Sequence, residues 1–287
     1  MLRRPNRLII PQYTAPAGVS LVAAAELLGD GKRAIAAQLI DFAVRKVITI
    51  ARPTGGGKRS GFTVTLVGDV SREGPDENAV LVTLFGSAPA VGTSFALRPK
   101  RNKDLGVRLQ GPHRWIVARL VVAGLAREQG LFSKLLTPWQ KRPVLPTPAA
   151  HPFIDHAWGV HDYIQWAEKD RFAFLQSPAG AQRQQPLNEL EVLILNEKLL
   201  PYAVLFGLEK QWMTELDVQY RTLPPEFLDD VGDLLLIADF LVHGVEIVAA
   251  IGDLVDLVDA VDALEGVGAI FGGIGEFLGN LDFPDFG

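Results

Sequence analysis

The chain has 287 residues, 48% of them hydrophobic, with no cysteine and a formal net charge of −5. That length and apolar content support a sizeable core and two domains, and the lack of cysteine excludes disulfides, thiolate zinc sites and a cysteine nucleophile. The net charge conceals a split: residues 1–145 carry 22 Lys/Arg against 9 Asp/Glu, or +13, and residues 146–287 carry 6 against 24, or −18.

The opening stretch, MLRRPNRLIIPQY, holds only three consecutive apolar residues, Leu8, Ile9 and Ile10, before Pro11. That is too short for the apolar core of an export signal, so a cytoplasmic location is expected. Residues 20–28 and 32–46 read as two helices divided by Gly29-Asp30-Gly31. The second sets Ile35, Leu39, Phe42 and Ala43 on one stripe and Gln38, Asp41 and Arg45 opposite, which predicts one buried and one wetted face. Residues 47–50 read as a strand, 53–60 as a glycine-rich basic tip and 62–66 as the returning strand. Two helices followed by a β-hairpin give the outline of a winged helix. A short helix at 77–85, a strand at 94–97 and a long basic helix at 105–129 complete a basic first domain of residues 1–132.

Residues 133–152 contain five prolines, Pro138, Pro143, Pro146, Pro148 and Pro152, and read as a linker. A helical domain of residues 153–225 follows, with helices at 160–175 and 187–220, the second broken or bent at Pro201 with Tyr202 packed beneath it. The tail, residues 226–287, has fourteen acidic residues and no Lys or Arg. Within it Ile237, Phe240, Gly244, Ile247, Ile251, Leu254, Val258 and Val261 recur at alternating spacings of three and four, a coiled-coil-like seam. Asp239, Glu246 and Glu276 interrupt its apolar runs, so neither is a good membrane span. The predicted class is therefore α+β, mainly helical.

Chemical motifs are sparse. GGGKRS at residues 55–60 fails as a phosphate-binding loop, because Arg52 stands where the first glycine belongs and Arg59 replaces the Ser or Thr. As a wing, Lys58 and Arg59 could touch nucleic-acid phosphates, and the helix with Arg108, Arg114 and Arg119 is basic enough for nonspecific electrostatics. Asp41 on the would-be recognition helix opposes that reading, and a basic flank beside a membrane surface has the same signature. His151, His156 and His161, five apart, fall about 140° from one another around a helix and do not form a metal trio. Neither GxSxG nor HExxH occurs. Glu168 and Arg171 lie one turn apart and can pair, while Glu197 and Glu209 read as partners for the few bases of their domain. Aromatic residues at helical spacing, Trp212 among them, read as core, and Gly207 would let another helix come close.

Four segments occur in the order found in the YciQ-like family of predicted bacterial membrane proteins, domain of unknown function 2207. They are IIPQY at 9–13 with PAGVS after it, AAQLIDFAVRKVITI at 36–50, AEKDRFAFLQSP at 167–178 and LLPYAVLFGLEKQW at 199–212. The chain resembles the soluble cytoplasmic portion of the actinobacterial members. The resemblance implies a protein that usually also has an extracytoplasmic domain and membrane helices, and this chain starts where the preceding membrane helix would end. It departs from the pattern in its proline-rich linker, where members commonly have a membrane hairpin, and in its acidic tail, where many end in a glycine-rich run. The family brings no catalytic residues to carry over; Glu168, Arg171, Pro201, Tyr202, Gly207, Glu209 and Trp212 are its motif positions here.

These observations together predict a non-enzymatic protein–protein interaction or scaffold module with no cofactor. Its tail seam, Ile247, Ile251, Leu254, Val258 and Val261, would pack on folded protein, since like charges flanking a symmetric coiled coil repel. The expected partner is a second copy of the chain or another protein, with the inner face of a membrane as a further surface. Nucleic acid is disfavoured, and no small-molecule substrate is implied.

Overall fold

The computed structural model describes residues 4–52, 61–98, 103–128, 144–166 and 189–222, together with Phe240, Leu241, Gly244, Val245 and Val248. The protein is mainly helical with small antiparallel sheets, the α+β class expected.

Helix α1 (Leu21–Leu28) starts at Ser20, whose hydroxyl accepts the Ala23 amide at 3.2 Å, an N-cap that satisfies one of the free donors of the first turn. All eight of its residues are buried, and it touches α2 (Gly31–Val44), α3 (Pro75–Phe85), α4 (Lys103–Val122) and two later helices. An element so enclosed needs small and apolar side chains, which LVAAAELL provides, and leaves Glu26 as the exception that must find a partner. Strands β1 (Ile48–Ala51), β2 (Phe62–Leu66) and β3 (Ser94–Leu97) form a sheet with β2 central, Ile50 opposite Val64 and Thr63 opposite Ala96. Phe62, Val64 and Leu66 face the core while Thr63 and Thr65 stay half-exposed, the period-two pattern of a strand with one face covered. In α3 a proline opens the helix and Asp76 and Glu77 fill its first turn, where the exposed amides favour negative charge.

Strand β4 (Ala126–Glu128) pairs with β5 (Val144–Pro146), and α5 (His151–Gln165), α6 (Glu189–Phe206) and α7 (Glu209–Thr222) complete the described helices. One contiguous apolar cluster joins Leu39, Phe42 and Val64 of the first half to Leu200, Val204 and Trp212 of the second. Helix α2 packs more extensively on α6 than on any other element.

Four local expectations need correction. The basic helix does not reach residue 129: it stops at Val122, where the Gly124 and Leu125 amides return to the carbonyls of Val121 and Leu120, and residues 126–128 turn into strand. The proline-rich stretch is not bare connector, since Val144–Pro146 pairs with β4 and α5 already begins at His151 rather than near residue 160. Pro201 does not break its helix; α6 runs through it, and the break falls six residues later at Gly207. Finally, α2 has no simple wet face: Gln38, expected to face solvent, is fully buried.

Candidate interaction surfaces

The junction of the two halves is built around Arg33, in the first turn of α2. Its guanidinium donates at 3.0 Å to the Val204 carbonyl and at 3.0 Å to Glu209 Oε2. Glu209 is buried at the start of α7, so without that base its carboxylate would stand unpaired in the interior. Between α6 and α7 the chain turns through Gly207 at φ +74°, with the Gly207 amide on the Val204 carbonyl and the Leu208 amide on the Ala203 carbonyl. This is the Schellman turn, which needs a left-handed residue and hence glycine. What comes close at Gly207 is the side chain of Arg33 from α2, whose guanidinium carbon would lie 3.5 Å from a Cβ there. Among the described residues the base paired with Glu209 belongs to the first half. Trp212, wholly buried, donates from Nε1 to the Asn196 carbonyl at 3.0 Å and ties α7 back to α6.

A polar network fills the adjoining side of α2. Gln38 Nε2 and the Arg45 guanidinium both donate to Asp41 Oδ2, at 2.9 Å and 2.7 Å, and Arg45 reaches on to Glu73 at 2.8 Å. Tyr202 of α6 is buried nearby; burial, with the charges of Asp41 and Glu77 added, pushes its phenol far above the ordinary tyrosine value and keeps it protonated.

Residues 4–19, without helix or strand, lie as a strap over α5. Arg4 makes a two-pronged pair with Asp162, its second bond at 2.6 Å, and its guanidinium stands 5.9 Å over the Trp158 ring. Arg7 pairs with Asp155 at 2.6 Å, His156 Nε2 donates to the Thr14 carbonyl at 2.7 Å, and the Tyr13 ring lies 6.5 Å from that of Tyr163. Gly159 is required beneath, because a Cβ would run into the Ile10 carbonyl and stand 2.7 Å from Gln12 Cγ. Burial raises the Asp162 carboxyl, but the hydrogen bonds from Arg4 and His161 and their charges outweigh it and leave Asp162 below the usual carboxylate value. His161 sits between the rings of Trp158 and Phe206, at 4.8 Å and 4.9 Å.

A cleft of about 580 Å³ opens between the N-termini of α1 and α3 and the second half of α4. At its wall Asp76 accepts from Ser20 Oγ at 2.6 Å and from Arg119 at 2.5 Å, while Arg119 also covers the Trp115 ring at 4.9 Å. Burial raises the neighbouring Glu77 carboxyl, a bond from its own amide opposes the rise, and the charges of Asp76 and Asp41 add to it. One helix away Glu26 finds its partner in His113 Nδ1 at 3.0 Å, both side chains almost enclosed.

Of the basic positions singled out from sequence, Arg119 is taken by Asp76 and Arg108 donates to the Thr83 carbonyl at the end of α3. Arg114 is half-buried and engaged. Lys58, Arg59, Glu168 and Arg171 lie outside the described residues, as do Ile247, Ile251, Leu254, Val258 and Val261. Pro201 and Tyr202 lie within α6, Gly207 forms the turn after it, and Glu209 and Trp212 belong to α7. From the tail seam Phe240 and Gly244 are described: Phe240 is fully buried, its ring edge-on to Phe62 of β2 at 5.3 Å, with the Arg52 guanidinium 4.7 Å over the Phe62 ring. Sequence reading missed the pairs Glu26–His113 and Asp76–Arg119. The signals were a lone carboxylate in an apolar helix and an acidic first turn after a proline.

Among the described residues no group of three His, Asp or Glu is placed to hold a metal ion, and no helix is long and apolar enough to cross a membrane. Of the two carboxylates that line the cleft, Asp76 is held by Arg119 and Glu77 stands beside it with its carboxyl raised by burial, while Glu26, outside the cleft, lies 3.0 Å from His113. No family model, curated protein or solved structure matches the chain.

Proposed function

We propose that this chain is a non-enzymatic protein–protein interaction module whose acidic, apolar tail seats on the basic first half and offers the rest of its seam to a partner. The observation that carries the reading is Phe240: an aromatic residue from a segment with no Lys or Arg lies fully buried against Phe62 of the first half's hairpin. Three ion pairs between the halves, Arg4–Asp162, Arg7–Asp155 and Arg33–Glu209, support the same sense of attraction.

The order of α1, α2, β1 and β2 fits a winged-helix outline, and the resemblance to the YciQ-like family belongs to the same proposal. Within it, the segment at 36–50 packs on the segment at 199–212 through α2 and α6. A groove-reading α2 would first have to lose α6, and Arg108 and Arg119 would have to leave their present acceptors, so a nucleic-acid partner gains no support. Deleting residues 229–287 tests the reading. The expected result is a changed molar mass in light scattering or new binding of an apolar dye; neither change would overturn it.

A further inference from the structure

We propose that the strap of residues 4–14 is exchangeable, so that the groove it fills on α1 and α5 also takes the same strap from a second copy of the chain. This goes beyond the tail and does not depend on it.

The groove recognises one chemistry, an extended segment with two arginines three residues apart followed by an apolar residue. Asp162 and Trp158 receive the first guanidinium, Asp155 the second, and the close approach over Gly159 admits the backbone at Ile10. Of the strap's apolar triplet Ile9 alone is buried, at 8% exposure, whereas Leu8 is 88% and Ile10 62% exposed.

The seat is also incompletely filled in cis. About 160 Å³ remains between Pro5 and Arg7 of the strap and Leu27, Leu28, Ile154 and Trp158 beneath it. Trp158 Nε1 is buried there without a hydrogen-bond partner among the described residues. Both ion pairs are partly solvated and therefore screened by salt, with side-chain exposures of 47% and 14% for Arg4 and Asp162 and 34% and 29% for Arg7 and Asp155.

A second copy carries the identical strap, so the ion pairs and packing given up within one chain re-form between two, the condition that makes swapping of an element inexpensive. Residues 14, 15, 17 and 18, between strap and α1, are exposed and outside helix or strand, which suits them to act as the hinge.

Two variants test the exchange in complementary ways. R4A/R7A leaves an unfilled groove, and D155N/D162N leaves an unseated strap. Association through the tail would be present in each variant alone, so only mass that appears on mixing reports the strap. The expected result is a species in the mixture heavier than any that either variant forms alone, by 31.2 kDa for each chain added, and lost at high salt. No hetero-pair at chain concentrations up to about 1 mM, the range a tethered strap experiences, would overturn the proposal.

If either variant fails to fold, a labelled synthetic peptide of residues 3–14 provides the second readout. It is expected to bind groove-opened R4A/R7A, or R4A alone, at least about tenfold more tightly than the unaltered chain, a difference of about 1.4 kcal/mol. Equal binding, or none, would overturn the proposal.

Discussion

Arg33 and Glu209 stand 3.0 Å apart at the meeting of α2 with the α6–α7 turn, and the same guanidinium holds the Val204 carbonyl at the end of α6. One side chain therefore neutralises a buried carboxylate and satisfies a terminal helix carbonyl that the turn alone leaves half-used.

Removing that base leaves both groups in the interior without it. Arg33→Ala is expected to lower unfolding stability by about 2–4 kcal/mol in urea titration. Arg33→Lys should recover only part of this, since a point ammonium cannot span two acceptors as the planar fork does. Gly207→Ala, forced to keep a left-handed backbone beside the guanidinium, should cost roughly 1–2 kcal/mol. Equal stability of Arg33→Ala and the parent chain would show that the pair does not hold the halves together.

The strap depends on Gly159 in a different way. Gly159→Ala places a methyl group against the Ile10 carbonyl and Gln12, so the expected outcome is a lifted strap with α5 intact. Limited trypsin cleavage after Arg7 should accelerate while the helical signal in circular dichroism stays unchanged. Unaltered cleavage would mean that the strap does not need the close approach.

The Asp162 carboxyl gives the strap a pH dependence whose sign follows from its depressed value. A group held lower in the folded protein contributes fully above its unfolded value, about 3.9 for Asp, and the contribution disappears as the pH falls through the lower folded value. Strap attachment should thus survive down to mildly acidic pH and fail only below about 3.9. In Arg4→Ala burial is opposed by less, and the Asp162 titration, followed by carbon NMR of the carboxyl, should move upward. An unmoved titration would remove Arg4 as a cause.

The sequence made the hairpin and its flanking helices legible because their signals are local. The alternation Phe62, Val64, Leu66 and the stripe Ile35, Leu39, Phe42 stand within single windows of chain. What escaped was non-local. Residues 126–128 continue a basic helical composition, and only their partner Val144–Pro146, beyond a 15-residue interval, makes them strand. Gln38, Asp41 and Arg45 are polar in sequence, yet packing in the folded chain buries Gln38 completely. Pro201 looked like the helix breaker, whereas the turn chemistry sits at Gly207, where two amides fold back on the α6 carbonyls. The site pairs Glu26–His113 and Arg33–Glu209 join residues 87 and 176 positions apart, distances at which charge and spacing carry no register.

The tail seat is open to the most direct test. Phe62 and Phe240 meet edge-on with ring centres 5.3 Å apart, and if the tail seats on the first half their energies must be coupled. A double-mutant cycle of Phe62→Leu and Phe240→Leu, read by urea unfolding, is predicted to give a coupling of about 0.5–1.5 kcal/mol. Strict additivity of the two substitutions would contradict the seated tail and the interaction module built on it.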